Sequence, residues 1–385
     1  MNTRTVLGLT LAVATLTVAC SDDVTHPEPD PSMDAIEGEL GLAGPPGARS
    51  LIVLSRNLYL GGEIQPILAF QPDPGKSPQE NQVAFIQVVA GVWDQIQATD
   101  FPARANVLAR EVRITHPDVI GVQEAARFVR LVVDASGTPV APPELVYDYL
   151  TIFLDALARK GLNYHVATVA QNVQAALPVD LTGTVIQYTD HDVILVRDGV
   201  DILSAESGNY AAFVPAPVLG GAQTLNLLRG WNRADVQKRG RRYHIVNTHF
   251  ETDETSAAVQ EAQAGELIAA LQTEDDPIVL MGDLNALEDG STSTTYPDLT
   301  AAGFRDAWIL GTPLGIRNGD TCCHEPDLRN DRAAFFERID YMMLGNGFEN
   351  AKVLIGVVGG RPFSKTRSGL WASDHAGLAA RIIMR

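Results

Sequence analysis

Residues 278–285 read IVLMGDLN. Four large apolar side chains in succession, with no alternation, describe a strand covered on both faces. The run stops at Gly282 and delivers Asp283 and Asn285 at its end. Taken alone, Asp-Leu-Asn reads as a turn, because both residue types suit turns. Outward from it the same arrangement recurs. Residues 51–54 (LIVL) lead to Asn57, 119–123 (VIGVQ) to Glu124, and 245–247 (IVN) to Thr248-His249. Arg338-Ile339-Asp340 opens an apolar run at 339–344, and Ser373-Asp374-His375 precedes another at 377–383. Carboxylates, amides and imidazoles at strand ends can converge on one cleft at a sheet edge, where α/β proteins place ligands. Each has a bland alternative: Glu124 a solvated strand end, His249 a packed surface histidine, Asp340 an ion-pair partner of Arg338. Their co-occurrence in order outweighs these.

Between the strands, Val83, Ile86, Val89, Trp93 and Ile96 recur at helical spacing and predict a helix that starts at Ser77-Pro78. Residues 103–114 predict a second, stopped by His116-Pro117. Residues 143–159 predict a third, ended by Gly161, and 256–271 a fourth. Further strands are expected at 164–169, 192–196, 242–248 and 353–358, with Gly240 turning a hairpin before the third of these. Strands outnumber helices and several are apolar throughout. The fold expected is a four-layer α/β sandwich, two packed mixed β-sheets with helices on the outer faces, in one domain over 50–385.

With these residues in this order, the chain resembles the endonuclease/exonuclease/phosphatase superfamily over roughly 51–383. The carrying motifs are Asn57 in SRNLYLGG, Glu124 in VIGVQE, His249 in VNTHFE, Asp283 and Asn285 in MGDLNA, Asp340 in ERIDYM, and Asp374-His375 in SDH. The resemblance implies a metal-dependent phosphoric ester hydrolase. It implies Glu124 as the first metal ligand, with Asn57 and Asp374 beside it. These are hard oxygen donors suited to Mg²⁺ or Mn²⁺. His375 is the natural general base, since imidazole titrates near neutral pH. By the resemblance Asp340 orients it. Asp283 and Asn285 would hold the attacking water and a phosphoryl oxygen, and His249 the phosphate or the leaving group. Asp374 and His375 share the cleft only on an irregular turn, because on a strand they would point oppositely.

The chain has 385 residues, 29 basic and 47 acidic, for a net charge of −18, which argues against a protein that coats nucleic acid. A phosphate met at a small metal-charged site is still compatible. Arg233 and the cluster Lys238 to Arg242 read as phosphate guidance or, more simply, as a charged hairpin. Residues 6–19 form a short apolar run after Arg4 that ends in Ala19-Cys20, an export signal with a lipobox-like end, although Thr17 replaces the usual Leu. Residues 21–49 carry seven acids and one Arg, with prolines, as a solvated tether does. An exported monomer anchored to a membrane through a lipid on Cys20 is expected, with simple secretion as the alternative.

Cys322-Cys323 are adjacent. Across a trans peptide their Cα atoms would stand about 3.8 Å apart, shorter than the usual disulfide minimum of about 4.4 Å, so a bridge would be strained. With His324 a metal reading lacks a fourth ligand. Members of the superfamily carry a similar segment before the Asp340 motif, which implies a loop near the cleft. Three substrates compete: a nucleic-acid phosphodiester, a sphingomyelin-like phospholipid, and a phosphomonoester. AFVPAPVLGG at 212–221 is the nearest approach to a membrane-docking device. A catalytically inactive binding module would have lost the base or a metal carboxylate, and neither is lost.

Overall fold

The computed structural model describes residues 50–221, 223–314 and 318–384. The export signal, Cys20 and the tether lie outside these. In chain order the strands are β1 (Ser50–Asn57), β2 (Val119–Gln123), β3 (Arg127–Val132), β4 (Glu144–Asp148), β5 (Tyr164–Pro178), β6 (Thr184–Arg197), β7 (Asp201–Asn209), β8 (Val214–Val218) and β9 (Gln223–Leu227). There follow β10 (Gly230–Lys238), β11 (Arg241–His249), β12 (Ile278–Asp283), β13 (Arg305–Asp306), β14 (Thr312–Leu314), β15 (Asp340–Leu344), β16 (Lys352–Val358) and β17 (Gly377–Ile383). The helices are α1 (Gln65–Leu68), α2 (Pro78–Ala98), α3 (Phe101–Thr115), α4 (Tyr149–Ala158), α5 (Asp253–Leu271), α6 (Thr295–Ala301) and α7 (Ala307–Leu310).

One sheet runs β14-β16-β17-β1-β2-β6-β3-β4, with β5 on the far edge of β6; the other runs β13-β15-β12-β11-β10-β7. Both mix parallel and antiparallel pairs, β1–β2 and β11–β12 being parallel. Alternation explains the unbroken apolar runs. In β1, Leu54 enters the core beneath α2 to α4, while Leu51 and Val53 enter the core between the sheets. In β12, Val279 and Met281 face the inter-sheet core and Ile278 and Leu280 face α5 and α6. Three apolar layers thus separate four layers of secondary structure, as expected.

Helix α2 starts at Ser77 through a reciprocal bond pair with Glu80, and α3 stops where His116 turns left-handed before Pro117. The stretch 143–159 is not one helix. Phe128 and Val129 on β3 pair with Tyr147 and Leu145, which holds residues 144–148 as a strand, and Asp148 then caps α4 through the Thr151 amide. The strands expected at 164–169 and 192–196 are parts of a far longer β5–β6 ribbon. Lys238 and Arg241 flank the hairpin turn, as expected for Gly240. Among the described residues, no helix is long and apolar enough to cross a membrane.

Candidate active site

Parallel pairing brings the ends of β1 and β2 side by side, with Asn57 opposite Gln123. It does the same for β11 and β12, with His249 opposite Asp283. Antiparallel β15 sets Asp340 opposite Asp283. The two sheets present these ends at one edge of the sandwich. Two of them turn sharply. Glu124 and Asn285 hold positive φ angles of 56° and 48°, a costly backbone state for residues with a Cβ, and one that clusters at functional sites. Gly282 is obligatory, since a Cβ there would lie 1.9 Å from the Thr248 carbonyl oxygen.

Asn57 is fully buried and stands between two carboxylates. Its Nδ2 donates to Glu124 Oε1 at 2.9 Å and to Asp283 Oδ2 at 3.1 Å, and its Oδ1 accepts from the Tyr59 amide at 2.8 Å. Asn57 thus orients the carboxylates. The other Glu124 oxygen accepts the Leu60 amide at 2.7 Å. His375 Nδ1 meets Asp340 Oδ2 at 2.8 Å, leaving Nε2 to face Asp283 Oδ2 at 3.7 Å. His249 Nε2 lies 3.7 Å from the same oxygen. The Asn285 amide donates to Asp283 Oδ1, and its side chain donates to the Phe250 carbonyl. Residues 373–376 form the irregular bend that lets Asp374 and His375 share the cleft. Arg338 pairs with Asp306 and Glu288, which leaves Asp340 to His375.

The electrostatics are those of crowded acids. Burial, then Asp374 and Asp190, push Glu124 up to about 7. Burial, then Asp340, push Asp283 up to about 7. Burial opposes charge on His375, but Asp340, Asp283 and Asp374 outweigh it and hold the imidazole well above its usual value. His249 is held well below by burial, then by Arg229 and His375. A divalent cation fits the donor set. Glu124 and Asp374 are half-exposed, every donor is oxygen, and the mutual repulsion is of the kind a cation relieves.

Not every expected residue is here. Arg233 pairs with Glu206 at 2.7 Å and stacks over Trp231 at 4.4 Å, on the face of β10 opposite Asn232, so it stands outside the cluster. Cys322 and Cys323 are paired across a cis peptide rather than apart, and Cys323 Sγ lies 4.0 Å from His375 Nε2. The expected loop therefore reaches the cleft. His324 takes no part in it. Its ring packs against Phe335 and Trp371 at 4.3 and 4.4 Å.

Other residues escaped the sequence. Arg229 Nη1 reaches His249 Nε2 at 3.0 Å and Nη2 reaches Glu251 at 3.1 Å. Asn172 Nδ2 holds Asp190 and Asp192 at 3.0 and 2.8 Å, and these two acids come close enough to His249 to share an ion. Arg56 donates to the His375 carbonyl at 2.5 Å while paired with Glu111 at 3.0 Å, a buried brace under the base. Only Asp190-His191-Asp192 carried a signal: two acids at alternate positions that open an apolar strand.

The family model described as Endonuclease/Exonuclease/phosphatase family matches residues 93–375, and the chain belongs to that family. It is a phosphoric ester hydrolase, and enzymes of the family use divalent metals. Among solved structures, an endonuclease/exonuclease/phosphatase family protein from Leptotrichia buccalis is 14% identical. The match covers 87% of this chain and all of that one, with a TM-score of 0.50. The mannosyl-6-phosphatase of Bacteroides thetaiotaomicron is 16% identical over 87% of this chain and 100% of its own, with a TM-score of 0.48. Truncated Caenorhabditis elegans TDP2 is 16% identical over 87% and 98%, also at 0.48. No curated protein matches the chain by sequence.

Proposed function

We propose that the chain is an exported phosphodiesterase that depends on Mg²⁺ or Mn²⁺. The observation that carries this reading is the His375–Asp340 pair set beside Asp283, with Glu124 and Asp374 across the cleft. Glu124 and Asp374 would hold the cation, with Asn57 as the buried amide that aligns Glu124. When bound, the cation supplies Lewis-acid stabilisation of charge on the phosphoryl and leaving oxygens.

The carboxylates around His375 favour its protonated form. With a cation held on Glu124 and Asp374 offsetting part of that negative charge, the neutral ring would be restored and His375 Nε2 would take a proton from the attacking water. Asp340 fixes the ring through Nδ1 and stabilises the imidazolium that results. Asp283 and Asn285 position that water and a phosphoryl oxygen. The Arg229 guanidinium and His249 face the phosphate, and the neutral state imposed on His249 suits a hydrogen bond to a developing charge. A diester is favoured over a monoester because the −18 chain and the acidic cleft disfavour a dianion.

The test is hydrolysis of bis-p-nitrophenyl phosphate against p-nitrophenyl phosphate, in EDTA and after adding back Mg²⁺, Mn²⁺ or Ca²⁺. Diester hydrolysis lost in EDTA and restored by Mg²⁺ or Mn²⁺ is expected. Undiminished activity in EDTA after extensive dialysis refutes the metal, and a preference for the monoester refutes the diester.

A further inference from the structure

Beside the catalytic centre lies a second concavity. It forms where α2, the segment from Leu60 to Leu68 and the β5–β6 ribbon meet, and its volume is about 100 Å³. Trp93, Phe128, Ala175, Leu177 and Leu225 are among its walls, and no charged side chain lines it. Leu225 and Leu227 of β9 line one side of it. The stretch at 212–221 is anchored at one end, where Val218 is fully buried and Leu219 packs on the same core, while Phe213 stays exposed.

Three wall residues tie this pocket to the site. The Leu60 amide is the donor on Glu124 Oε2. Tyr188 stands two residues before Asp190 on one strand and stacks on Phe128 at 5.3 Å. Leu227 stands two residues before Arg229, which reaches His249. Leu60, Val173, Tyr188 and Leu225 are half-exposed, so the pocket opens on this side. An unfilled apolar cavity costs stability in proportion to its volume. An apolar cavity of about 150 Å³ stays dry and takes up benzene, so this one has room for a few methylenes.

We propose that the pocket seats an alkyl chain carried by the phosphate ester, which makes the substrate a lipid phosphodiester. This rests on the phosphodiesterase reading above. The phosphate lies at the Glu124–His375 centre and the first carbons of the chain enter between Leu60 and Tyr188. A substrate with one phosphate charge avoids the repulsion that a polyanion meets from a chain of −18.

Two series of ligands test it on the full chain. In p-nitrophenyl alkyl phosphates with one to eight carbons the leaving group is constant, so kcat/KM reports the chain. In alkylphosphonates of the same lengths no P–C bond can be hydrolysed, so calorimetric affinity reports binding without chemistry. Both should rise by up to about fourfold per methylene over the first few carbons, the worth of a buried CH₂, and then level. Ala175→Phe should flatten both series while the methyl ester is still hydrolysed. Leu225→Ala, which enlarges the pocket, should move the plateau to longer chains and decides the matter if Ala175→Phe does not fold. Flat series in the wild type, or a rise untouched by both variants, overturns the proposal. Should no ester be hydrolysed while phosphonate affinity still follows chain length, the pocket stands and the phosphodiesterase reading fails.

Discussion

Asp340 and Arg338 stand two positions apart yet serve different ends: Asp340 meets His375, and Arg338 meets Asp306 and Glu288. His375→Ala should therefore lower kcat by on the order of 10² to 10⁴, the worth of a positioned acid–base group. Asp340→Asn should fall in the same range, and the double variant should be little worse than the worse single one, because the two act as a unit. Thermal midpoint and kcat on the same preparations check this. An Asp340→Asn protein that loses stability but keeps its activity per folded molecule would leave Asp340 no part in orienting the base. Glu124 makes a different forecast. Burial and neighbouring acids push its folded pKa up to about 7, above the ordinary value of about 4.5, so the folded protein favours the protonated acid and loses stability as pH rises from 4.5 through 7. Glu124→Gln removes that penalty. In EDTA its thermal midpoint should exceed that of the wild type at pH 8, and the advantage should vanish near pH 5. An equal difference at both pH values refutes the charge argument. The residues legible beforehand are those that end apolar strands, because a polar group after four buried ones stands out. Arg229 follows Leu227-Leu228 in a connection with no period and offered no such contrast. Arg56 was in plain sight within SRN, but a pattern does not show that a guanidinium is buried.

Elements were legible where burial was one- or two-sided along their whole length. β1, β2, β12 and α2 follow from apolar runs or from helical spacing alone. The β5–β6 ribbon was seen only in part, because its outer stretches are mixed polar and half-exposed, and β7 is almost wholly exposed. Residues 143–159 read as a helix because the apolar residues of a short strand followed by a helix imitate one long period. Only cross-strand pairing with β3 separates them. The loop from Thr321 to Arg338 had no readable structure, yet it carries an element-scale consequence. His324 is buried between Phe335 and Trp371, and burial, then Arg56 and Lys365, lower its pKa to about 3. A histidine whose folded pKa lies below its unfolded one, about 6.5, lends its full stability above that value. That stability drains as pH falls from 6.5 toward 3. The loss by pH 5 should be on the order of 1–2 kcal/mol, read as a drop in thermal midpoint. His324→Phe keeps the ring packing and should show a shallower drop between pH 7 and 5. Parallel curves for the two proteins would mean that another group governs acid lability.

At the scale of the whole molecule, four layers leave one edge where both sheets end, and the site occupies it. The family and the sandwich were legible because six motifs span nearly the entire domain. The substrate was not, because the apolar pocket is assembled from α2, β5, β6 and β9, whose residues lie far apart in the chain. Export belongs to this scale too. We propose that Cys20 is lipidated and that residues 21–49 hold the domain off a membrane. Cys20→Ala should then move the enzyme from the membrane fraction to the soluble one, while a wild type already soluble and cleaved beyond residue 20 points to plain secretion.

The net charge of −18 makes a last forecast, about the choice between nucleic acid and lipid. A protein that binds a polyanion through a basic track releases counterions, and its affinity falls steeply as salt rises. Among the described residues, Lys238 is engaged by Asp118 and Arg242 by Asp276, and both lie at the opposite end of β10 and β11 from Arg229 and His249. The cleft itself is walled by acids. Salt should therefore screen repulsion here rather than attraction. The Debye length shrinks from about 30 Å at 0.01 M to about 8 Å at 0.15 M, enough to hide most of the acidic surface from an approaching strand. With Mg²⁺ held constant, kcat/KM on a single-stranded oligonucleotide should rise several-fold over that range. On bis-p-nitrophenyl phosphate, which carries one charge, it should change by less than about twofold. A steep fall for the oligonucleotide would show that a cationic track guides nucleic acid to the site despite the overall charge, and would return a nuclease to first place over a lipid phosphodiesterase.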